Sequence, residues 1–381
     1  MNLLISAGEA SGDLHAARLL AALRRERPDV RAFGMGGARL EAAGLERIVS
    51  SDEISVVGIS EVFAKLPALR RALSRLAGEA RRRRPDGAVL VDFPDFHGLL
   101  ARRLRLAGTP LVYYVPPQVW AWRRRRARRL ARRARRIITL FPFEADLFRR
   151  LGADAVWAGH PIVDDVRETL ALPSPLPAKA RRRLALLPGS RDAEVARHWP
   201  AMAEAASRLA ARHGLELVAA RAPHLPEALF DGAAARGIRL VSGAVPHLLA
   251  SADLAFVASG TATLEAALCG APSVVMYRTS GLTYAVARAL VRLRWISLVN
   301  IVAGEEVVPE LLQRRATAAE LEREGEAILS SPERTAAMRA GLARVAAALG
   351  PPGASERAAQ QVLEALGPRA EGAPAERRAA R

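Results

Sequence analysis

Two small-residue turns in the second half of the 381-residue chain have the residue types that bind a phosphate group. They span residues 187–191 and 259–265, and each follows a short apolar run and precedes a helical pattern. A helix N-terminus offers free backbone N–H groups and a partial positive charge, and both attract an anion. Gly189 lets the backbone approach a ligand closely, and Arg191 adds a guanidinium group that can hold a phosphate in bidentate fashion.

The second turn adds a carboxylate that suits a ribose. Glu265 lies one helical turn beyond the first threonine of the turn, where its oxygens can accept hydrogen bonds from a ribose diol. The alternative is structural, because corners of this kind join strands to helices in many α/β proteins for geometric reasons alone. Together the two turns predict one site for a nucleoside diphosphate, with candidate contacts from Gly189, Ser190, Arg191, Gly260, Thr261 and Glu265.

A third glycine turn lies near the N-terminus, at residues 7–15. It lacks the lysine of a P-loop and the full spacing of a dinucleotide fingerprint, and the carboxylate of Glu9 would repel a pyrophosphate. A carboxylate, a hydroxyl and an imidazole around a glycine turn suit a sugar, so Glu9, Ser11 and His15 are candidates for a sugar site. The alternative is that Ser11 or Asp13 caps the helix that begins here.

A fourth loop places Asp92 directly after the apolar run 88–91. Pro94 and the two phenylalanines beside it make this loop stiff and partly dry. A carboxyl group in dry surroundings has a raised pKa, which suits a general base. Asp95 is assigned mainly to capping or orienting the next helix. The alternative is that Asp92 or Asp95 caps the helix predicted over residues 97–106.

Two tryptophans precede a dense run of arginines. The formal net charge is +18, and residues 123–136 hold ten arginines and no acid. Tryptophan favours the membrane interface and arginine favours anionic head groups. We therefore predict a peripheral attachment to an anionic membrane surface through Trp120, Trp122, Arg124, Arg125, Arg128 and Arg129. The alternative is a pair of core tryptophans followed by a solvated basic helix.

The remaining composition excludes several other classes of site. No Cys/His cluster has metal-ligand spacing, and no Asp-x-Asp pair stands beside the diphosphate turns, so we expect neither a metal nor another cofactor. The single Cys269 cannot form an internal disulfide, which favours a reducing cytoplasm. No signal-peptide pattern is present, and no apolar run approaches the roughly 20 residues of a membrane span.

The spacing of the apolar runs predicts the architecture. Strand candidates recur after helix-length intervals in both halves, which is typical of two Rossmann-like, doubly wound α/β domains facing a cleft. The pattern also predicts a helix over 283–294 and a strand over 297–301. The proline-rich segment 173–177 marks the boundary. The expected division is a first domain 1–172, a linker 173–180, a second domain 181–330, C-terminal helices 331–366 and a disordered tail 367–381.

Seven segments of the chain, in order, resemble the lipid-A-disaccharide synthase family. They are Gly8–Asp13, Asp92–Phe96, Pro117–Arg123, Gly159–Pro161, Leu187–Arg191, Ser259–Glu265 and Pro309–Gln313. The resemblance implies a GT-B fold and an inverting glycosyltransferase. Members of this family join UDP-2,3-diacylglucosamine to 2,3-diacylglucosamine 1-phosphate (lipid X), giving a β(1→6) disaccharide and UDP. The first domain would then bind the acceptor and the second domain the UDP-sugar.

The resemblance also implies roles for individual residues. Asp92 is the implied base, with Glu9 and Ser11 lining the sugar site. The acceptor site is expected to include His15, Asp95 and His97 as well. The nucleotide site is expected to include Arg191, Glu265, Asn300 and Arg278. The chain departs from the family pattern at His97 (Asn expected), Pro116 (Ser expected) and Val299 (Pro expected). The first departure leaves open that His97 shares or replaces the role of base.

Two rival interpretations remain at this point. Other GT-B proteins, such as a UDP-GlcNAc 2-epimerase or a peptidoglycan glucosaminyltransferase, share the phosphate corner and the ribose carboxylate but not the Trp-Ala-Trp-Arg string of residues 120–123. A nucleic-acid-binding protein would use the arginine run. However, the arginines are not interleaved with stacking aromatic residues, so we expect no nucleic-acid partner.

Overall fold

The computed structural model describes residues 1–54, 59–117, 124–279 and 294–367, without the side chains of residues 10, 59–65 and 124–126. The chain forms two compact units. The first comprises Met1–Gly159 and the segment from Gly353 onward, and the second comprises His160–Pro352. The division expected from the sequence therefore needs correction: the chain passes between units before the proline-rich segment, and its last described helix returns to the first unit.

The first unit is built on a seven-stranded sheet with the order β3-β2-β1-β4-β5-β6-β7, in which all paired neighbours are parallel. The strands are Asn2–Ala7 (β1), Arg31–Gly36 (β2), Leu45–Ser50 (β3), Gly87–Val91 (β4), Leu111–Tyr114 (β5), Arg136–Thr139 (β6) and Ala155–Trp157 (β7). β4 is buried along its whole length, as expected where helices cover both faces of a parallel sheet. The strand order reverses between β1 and β4, which is the topological switch point of a doubly wound fold.

Seven helices in the described part of this unit cover the sheet. They are Ala10–Glu26 (α1), Ala38–Ala42 (α2), Ile59–Arg83 (α3), Pro94–Leu106 (α4), Arg124–Arg133 (α5), Pro142–Arg150 (α6) and the C-terminal helix Ala354–Leu366. The C-terminal helix packs against α1, and its apolar face, which includes Val362 and Leu366, joins the core beneath β1. Its outer face is tied to the same unit by ion pairs from Arg25 to Glu356 and from Arg136 to Glu364.

The second unit is built on a six-stranded parallel sheet with the order β10-β9-β8-β11-β12-β13. Its strands are Arg183–Leu187 (β8), Glu216–Arg221 (β9), Ile238–Ser242 (β10), Leu254–Ala258 (β11), Ser273–Tyr277 (β12) and Glu310–Leu312 (β13). Its described helices are Ile162–Ala171, Asp192–His213, Val245–Ser251, Ala262–Leu268, Leu298–Ala303, Ala318–Leu329 and Pro332–Ala348. Here the order reverses between β8 and β11, so these two strands end at the second switch point.

Some predicted elements differ from the structure. The apolar run 297–301 was predicted as a strand, but it forms the helix Leu298–Ala303. Ser297 caps this helix by accepting a hydrogen bond from the Asn300 N–H, and Gly304 ends it with φ 71°. β3 and β13 were not predicted. The helix predicted over 283–294 lies outside the described residues except for Arg294. Among the helices that are described, none has the length and apolarity needed to cross a membrane.

Candidate active site

The loop after β4 brings Asp92 to the switch point of the first sheet. Asp92 and Phe93 both have left-handed backbones, with φ 53° and 45°, a conformation that non-glycine residues seldom adopt. A Cβ atom on Gly8 would overlap the Phe93 ring, and a Cβ on Gly12 would lie 3.6 Å from the Asp92 Cβ. The N-terminal glycine turn therefore packs directly against the Asp92 loop, because β1 and β4 are neighbours.

The carboxyl group of Asp92 is prepared to take up a proton. Its pKa is raised to about 6, mainly by burial and also by the nearby Glu9 carboxylate, while a hydrogen bond from the Phe93 backbone acts in the opposite direction. A carboxyl group with this pKa is largely ionised at neutral pH and is a stronger base than an exposed aspartate. These surroundings fit the predicted role of general base.

His97 holds the Asp92 backbone in place. Its side chain is fully buried, with Nδ1 2.7 Å from the Asp92 carbonyl oxygen and Nε2 2.8 Å from Ser6 Oγ. The Tyr113 hydroxyl donates a second hydrogen bond to the same carbonyl oxygen, at 2.6 Å. Burial lowers the pKa of His97 to about 4, so the ring is neutral near pH 7.

The hydrogen-bond partners of His97 fix its tautomer. A carbonyl oxygen can only accept, so Nδ1 must carry the hydrogen, and the unprotonated Nε2 then accepts from the Ser6 hydroxyl. Both ring nitrogens are thus engaged with protein groups. The possibility that His97 shares or replaces the base is contradicted by this arrangement, since a neutral ring with no free nitrogen has nowhere to place a substrate proton.

The other candidates around the glycine turn have different surroundings. Asp13 is buried and caps α2 rather than its own helix, accepting hydrogen bonds from the backbone N–H groups of residues 37, 39 and 40 at 2.6, 3.1 and 3.3 Å. Glu9 and Ser11 are exposed on the turn. Burial, followed by the nearby Arg18, lowers the pKa of His15 to about 4, and its buried Nδ1 has no hydrogen-bond partner among the described residues. Asp95 is exposed in the first turn of α4.

The two phosphate-type turns of the second unit line one cavity. They follow β8 and β11, and the cavity between them has a volume of about 300 Å³. Its lining includes Gly189, Ser190, Gly260, Thr261 and Glu265. The predicted convergence of the two turns is therefore confirmed, and its physical basis is that β8 and β11 are adjacent at the switch point.

Glu265 is the carboxylate of this cavity. Burial raises its pKa to about 7, and the charge of Asp165 raises it in the same direction. A desolvated carboxyl group of this kind is stabilised by hydrogen bonds from nearby donors. The two hydroxyls of a ribose are such donors. Its surroundings are consistent with the predicted ribose contact.

Three of the predicted nucleotide residues do not line the cavity. The Arg191 side chain is 78% exposed and forms an ion pair with Glu194 at 2.9 Å. Arg278 is also exposed. Asn300 is fully buried: its amide nitrogen donates to the Val308 carbonyl and to Glu310, and its amide oxygen accepts from two backbone N–H groups. The expectation for Asn300 is corrected accordingly, because its hydrogen bonds stabilise the segment before β13.

Two residues near the cavity were missed by the sequence analysis. Arg221, at the end of β9, contributes to the lining. His198 is fully buried, donates from Nδ1 to the Pro188 carbonyl at 2.8 Å and accepts at Nε2 from the Arg278 N–H at 3.0 Å. His198 thereby joins the loops that follow β8 and β12. Neither residue lies within a recognisable motif, so the sequence held no signal for them.

The predicted membrane residues are only partly within the described chain. Trp120 and Trp122 lie outside it, and for Arg124 and Arg125 the structure describes the helical backbone of α5 alone. Arg128 and Arg129 are exposed on α5. Within the described ranges, no group of three or more His, Cys, Asp or Glu side chains is arranged to hold a metal ion.

The structure of this chain is similar to several solved structures. The UDP-GlcNAc 2-epimerase of Neisseria meningitidis bound to UDP-GlcNAc aligns over 96% of this chain and 100% of its own, with a TM-score of 0.64 and 12% identity. The calicheamicin glycosyltransferase aligns over 98% of this chain and 99% of its own, with a TM-score of 0.61 and 16% identity. The chain therefore has the fold of the GT-B glycosyltransferases and epimerases.

Sequence similarity narrows this class to one family. The family model described as lipid-A-disaccharide synthetase matches residues 3–364. The lipid-A-disaccharide synthase of Myxococcus xanthus (strain DK1622) is 44% identical over 379 residues, covering 96% of this chain and 98% of the relative. The chain belongs to the lipid-A-disaccharide synthase family and is a glycosyltransferase.

Proposed function

We propose that this enzyme transfers the 2,3-diacylglucosaminyl group of UDP-2,3-diacylglucosamine to the 6-hydroxyl of 2,3-diacylglucosamine 1-phosphate, with release of UDP. The similarity to lipid-A-disaccharide synthases along nearly the whole chain is the observation that carries this proposal. The two candidate sites agree with it, because one offers a base and the other offers a cavity suited to a nucleoside diphosphate.

On the acceptor side, Asp92 is proposed to remove the proton of the attacking hydroxyl. The hydroxyl oxygen forms a bond to the anomeric carbon while the bond from that carbon to the UDP oxygen breaks, which inverts the configuration in a single displacement. The proton passes to the Asp92 carboxylate, and the bonding electrons leave with UDP. His97 and Tyr113 keep the Asp92 backbone in its left-handed conformation, so the base needs little reorganisation.

On the donor side, the turns after β8 and β11 are proposed to bind UDP. Backbone N–H groups at residues 189–190 and 260–261 would contact the diphosphate, Glu265 the ribose, and Arg191 and Arg221 the growing negative charge. To contact the diphosphate, the Arg191 side chain would have to leave its ion pair with Glu194. Because this side chain is largely exposed, breaking that ion pair costs little free energy.

The decisive experiment is an assay of UDP release from UDP-2,3-diacylglucosamine with and without the phosphorylated acceptor. A synthase releases UDP stoichiometrically with disaccharide only when the acceptor is present. A 2-epimerase would act on its UDP-sugar without any acceptor and form no disaccharide. UDP release that is independent of the acceptor would contradict the proposal.

We further propose that the enzyme acts on the cytoplasmic face of the inner membrane as a peripheral protein. Both substrates carry acyl chains and an anionic group, which suits an enzyme that reaches them at the bilayer surface. The exposed Arg128 and Arg129 on α5, together with the tryptophans that precede this helix in the sequence, support an interaction with anionic head groups.

A further inference from the structure

A second cavity of the first unit lies beside the loop that carries Asp92. It has a volume of about 290 Å³ and lies between α4 and α5. Pro94, Asp95 and His97, which directly follow the proposed base along the chain, form part of its wall. Any ligand in this cavity is therefore bound next to the segment that positions Asp92.

The cavity is cationic. Arg102 comes from α4, and Arg129 and Arg133 come from α5. Against these three guanidinium groups, the described residues of the lining include one carboxylate, that of Asp95. His97 contributes no charge at neutral pH, because burial lowers its pKa to about 4.

These arginines form no ion pair with a carboxylate in the described part of the chain, whereas several arginines elsewhere do. Arg83 contacts Glu79, and Arg183 contacts Glu216. Arg133 instead donates to the Gly98 carbonyl at 2.8 Å. Burial and then the neighbouring arginines, including Arg129, lower the pKa of Arg133. Mutual repulsion of this kind costs stability, and a bound anion would remove the cost.

The lining also has an apolar part. Leu99, Ala101 and Leu130 contribute to it, and the Leu99 side chain is 58% exposed despite its size. A cavity with guanidinium groups and exposed aliphatic side chains fits a ligand that carries both a phosphate and hydrocarbon.

We propose that the cavity between α4 and α5 binds the phosphate monoester of the acceptor sugar through Arg102, Arg129 and Arg133. This inference rests on the proposed function, since it assigns a site to one group of the acceptor. Guanidinium groups hold phosphate oxygens by charge-assisted, bidentate hydrogen bonds, and the dianion would neutralise an otherwise uncompensated cluster. The same chemistry would also accept the head group of an anionic lipid, so the test must separate these two sources.

The test compares two acceptors and two classes of variant in neutral detergent micelles. The acceptors are 2,3-diacylglucosamine 1-phosphate and the same sugar without phosphate, and the variants are Arg102→Gln and Arg129→Gln. For each variant we expect KM for the phosphorylated acceptor to rise about 10- to 100-fold, the value of one charge-assisted hydrogen bond, while KM for the UDP-sugar stays unchanged. With the phosphate-free acceptor, wild type and variants should behave alike.

Arg75→Gln is the matched control. Arg75 is exposed on α3 in the same unit and does not line the cavity, so it removes the same charge without touching the proposed site. Its kinetic constants should equal those of the wild type for both acceptors. A comparable rise in KM for Arg75→Gln would attribute the effect to net charge and overturn the assignment.

Other outcomes are equally clear. An equal rise in KM for both acceptors would show that the arginines do not recognise the phosphate and would overturn the assignment. Unchanged acceptor kinetics, combined with weaker sedimentation on vesicles of phosphatidylglycerol and phosphatidylcholine, would make the cavity a head-group site and overturn the acceptor assignment. A wild-type enzyme that transfers sugar to neither acceptor would contradict the proposed function itself, which distinguishes that failure from the others.

Discussion

At the scale of single residues, the candidate base depends on a backbone conformation that other residues maintain. Asp92 and Phe93 adopt left-handed φ angles that carry an energetic cost, and such strain persists only where the surrounding structure fixes it. Here the Asp92 carbonyl receives hydrogen bonds from His97 and Tyr113. The position of the Asp92 carboxyl group thus depends on hydrogen bonds to its own backbone carbonyl oxygen.

The role of Asp92 predicts a loss of turnover and a defined pH profile. Asp92→Asn should lower kcat by about 10²- to 10⁴-fold, the usual contribution of a general base, and leave UDP binding unchanged. Because the base must be ionised, kcat/KM of the wild type should fall as the pH drops through about 6 and level off above it. Near-normal turnover of Asp92→Asn would transfer the role to another group.

Glu9 provides an independent check on this pH profile. Its charge raises the pKa of Asp92, so Glu9→Gln should move the acidic limb of the kcat/KM profile to lower pH. Glu26→Gln is the control, because Glu26 is exposed at the opposite end of the same helix and makes the same charge change. An acidic limb that moves equally in both variants would report net charge rather than the Asp92–Glu9 pair.

His97 is predicted to position Asp92 through one hydrogen bond. Asn can place its amide nitrogen close to the position of Nδ1 and donate to the same carbonyl, which also gives a physical reason why asparagine would suit this position. His97→Asn should therefore keep kcat within a factor of about 3, whereas His97→Leu should lower it by about 1–3 kcal/mol of transition-state stabilisation, the cost of an unsatisfied buried group. KM for the UDP-sugar should not change. Equal kcat values for the Asn and Leu variants would remove the positioning role.

Arg191 tests the donor side. Arg191→Ala should weaken UDP binding and turnover by about 1.5–3 kcal/mol, because the lost contact is a charge-assisted one to the diphosphate. Arg197→Ala on the same helix is the matched control, since that side chain donates to the Ala193 carbonyl of its own helix. Isothermal titration with UDP measures the loss of binding, and an assay of turnover measures the loss of activity; both are repeated with a chelator. Strict dependence on added Mg²⁺ would contradict charge neutralisation by Arg191 and the helix N-termini.

At the scale of elements, α5 and the turns at the ends of the strands carry the proposed interactions. The turns act by their position at the two switch points, whereas α5 acts by its charge. Seven of the ten residues in Arg124–Arg133 are arginines and none is acidic, so this helix carries a high positive charge. Its contribution to binding should therefore depend on ionic strength.

A vesicle experiment tests the proposed attachment to the membrane. Replacing Arg124, Arg125, Arg128 and Arg129 with Gln should reduce co-sedimentation with anionic vesicles, since each arginine near such a surface contributes about 1 kcal/mol. The affinity for UDP should be unchanged. Sedimentation of the wild type should weaken in high salt without vanishing, because apolar contacts are not screened. Identical sedimentation of variant and wild type would reduce the arginine run to a solvated helix face.

At the scale of the whole molecule, the chain leaves the first unit at residue 159 and returns to it at residue 353. The returning helix places Leu366 against Gly87, where an added Cβ atom would lie 2.5 Å from Leu366 Cδ1. The start of β4 therefore packs against a residue almost 280 positions later in the chain. We therefore expect the stability of the strand that leads to Asp92 to depend on the C-terminal segment.

Truncating this contact should destabilise the first unit. Leu366→Ala removes a side chain that is 7% exposed and should lower the free energy of unfolding by about 2 kcal/mol, at the low end for buried leucines because the residue ends its helix. Gln360→Ala, at an exposed position of the same helix, should have little effect. Thermal unfolding with and without UDP gives the comparison. A Leu366→Ala variant as stable as Gln360→Ala would show that the contact contributes nothing.

The sequence by itself determined the features that depend on neighbours along the chain. Strand–turn–helix patterns predicted the parallel α/β architecture and placed Gly189, Gly260 and Asp92 at strand ends, because apolar periodicity and glycine turns are local signals. The convergence of the turns followed from a general rule about switch points, and the resemblance of seven segments named the family.

Only the tertiary structure decided which side chains are left for the substrate. The sequence treated His97 and Asn300 as candidates for substrate contact. Both side chains are buried, however, and they form hydrogen bonds with backbone and side-chain groups of the protein itself. The same limit applies to the cap formed by Asp13 and to the division of the domains, which the returning helix sets. The physical reason is that hydrogen-bond partners and packing surfaces are chosen by proximity in space, and a periodic pattern contains no information about them.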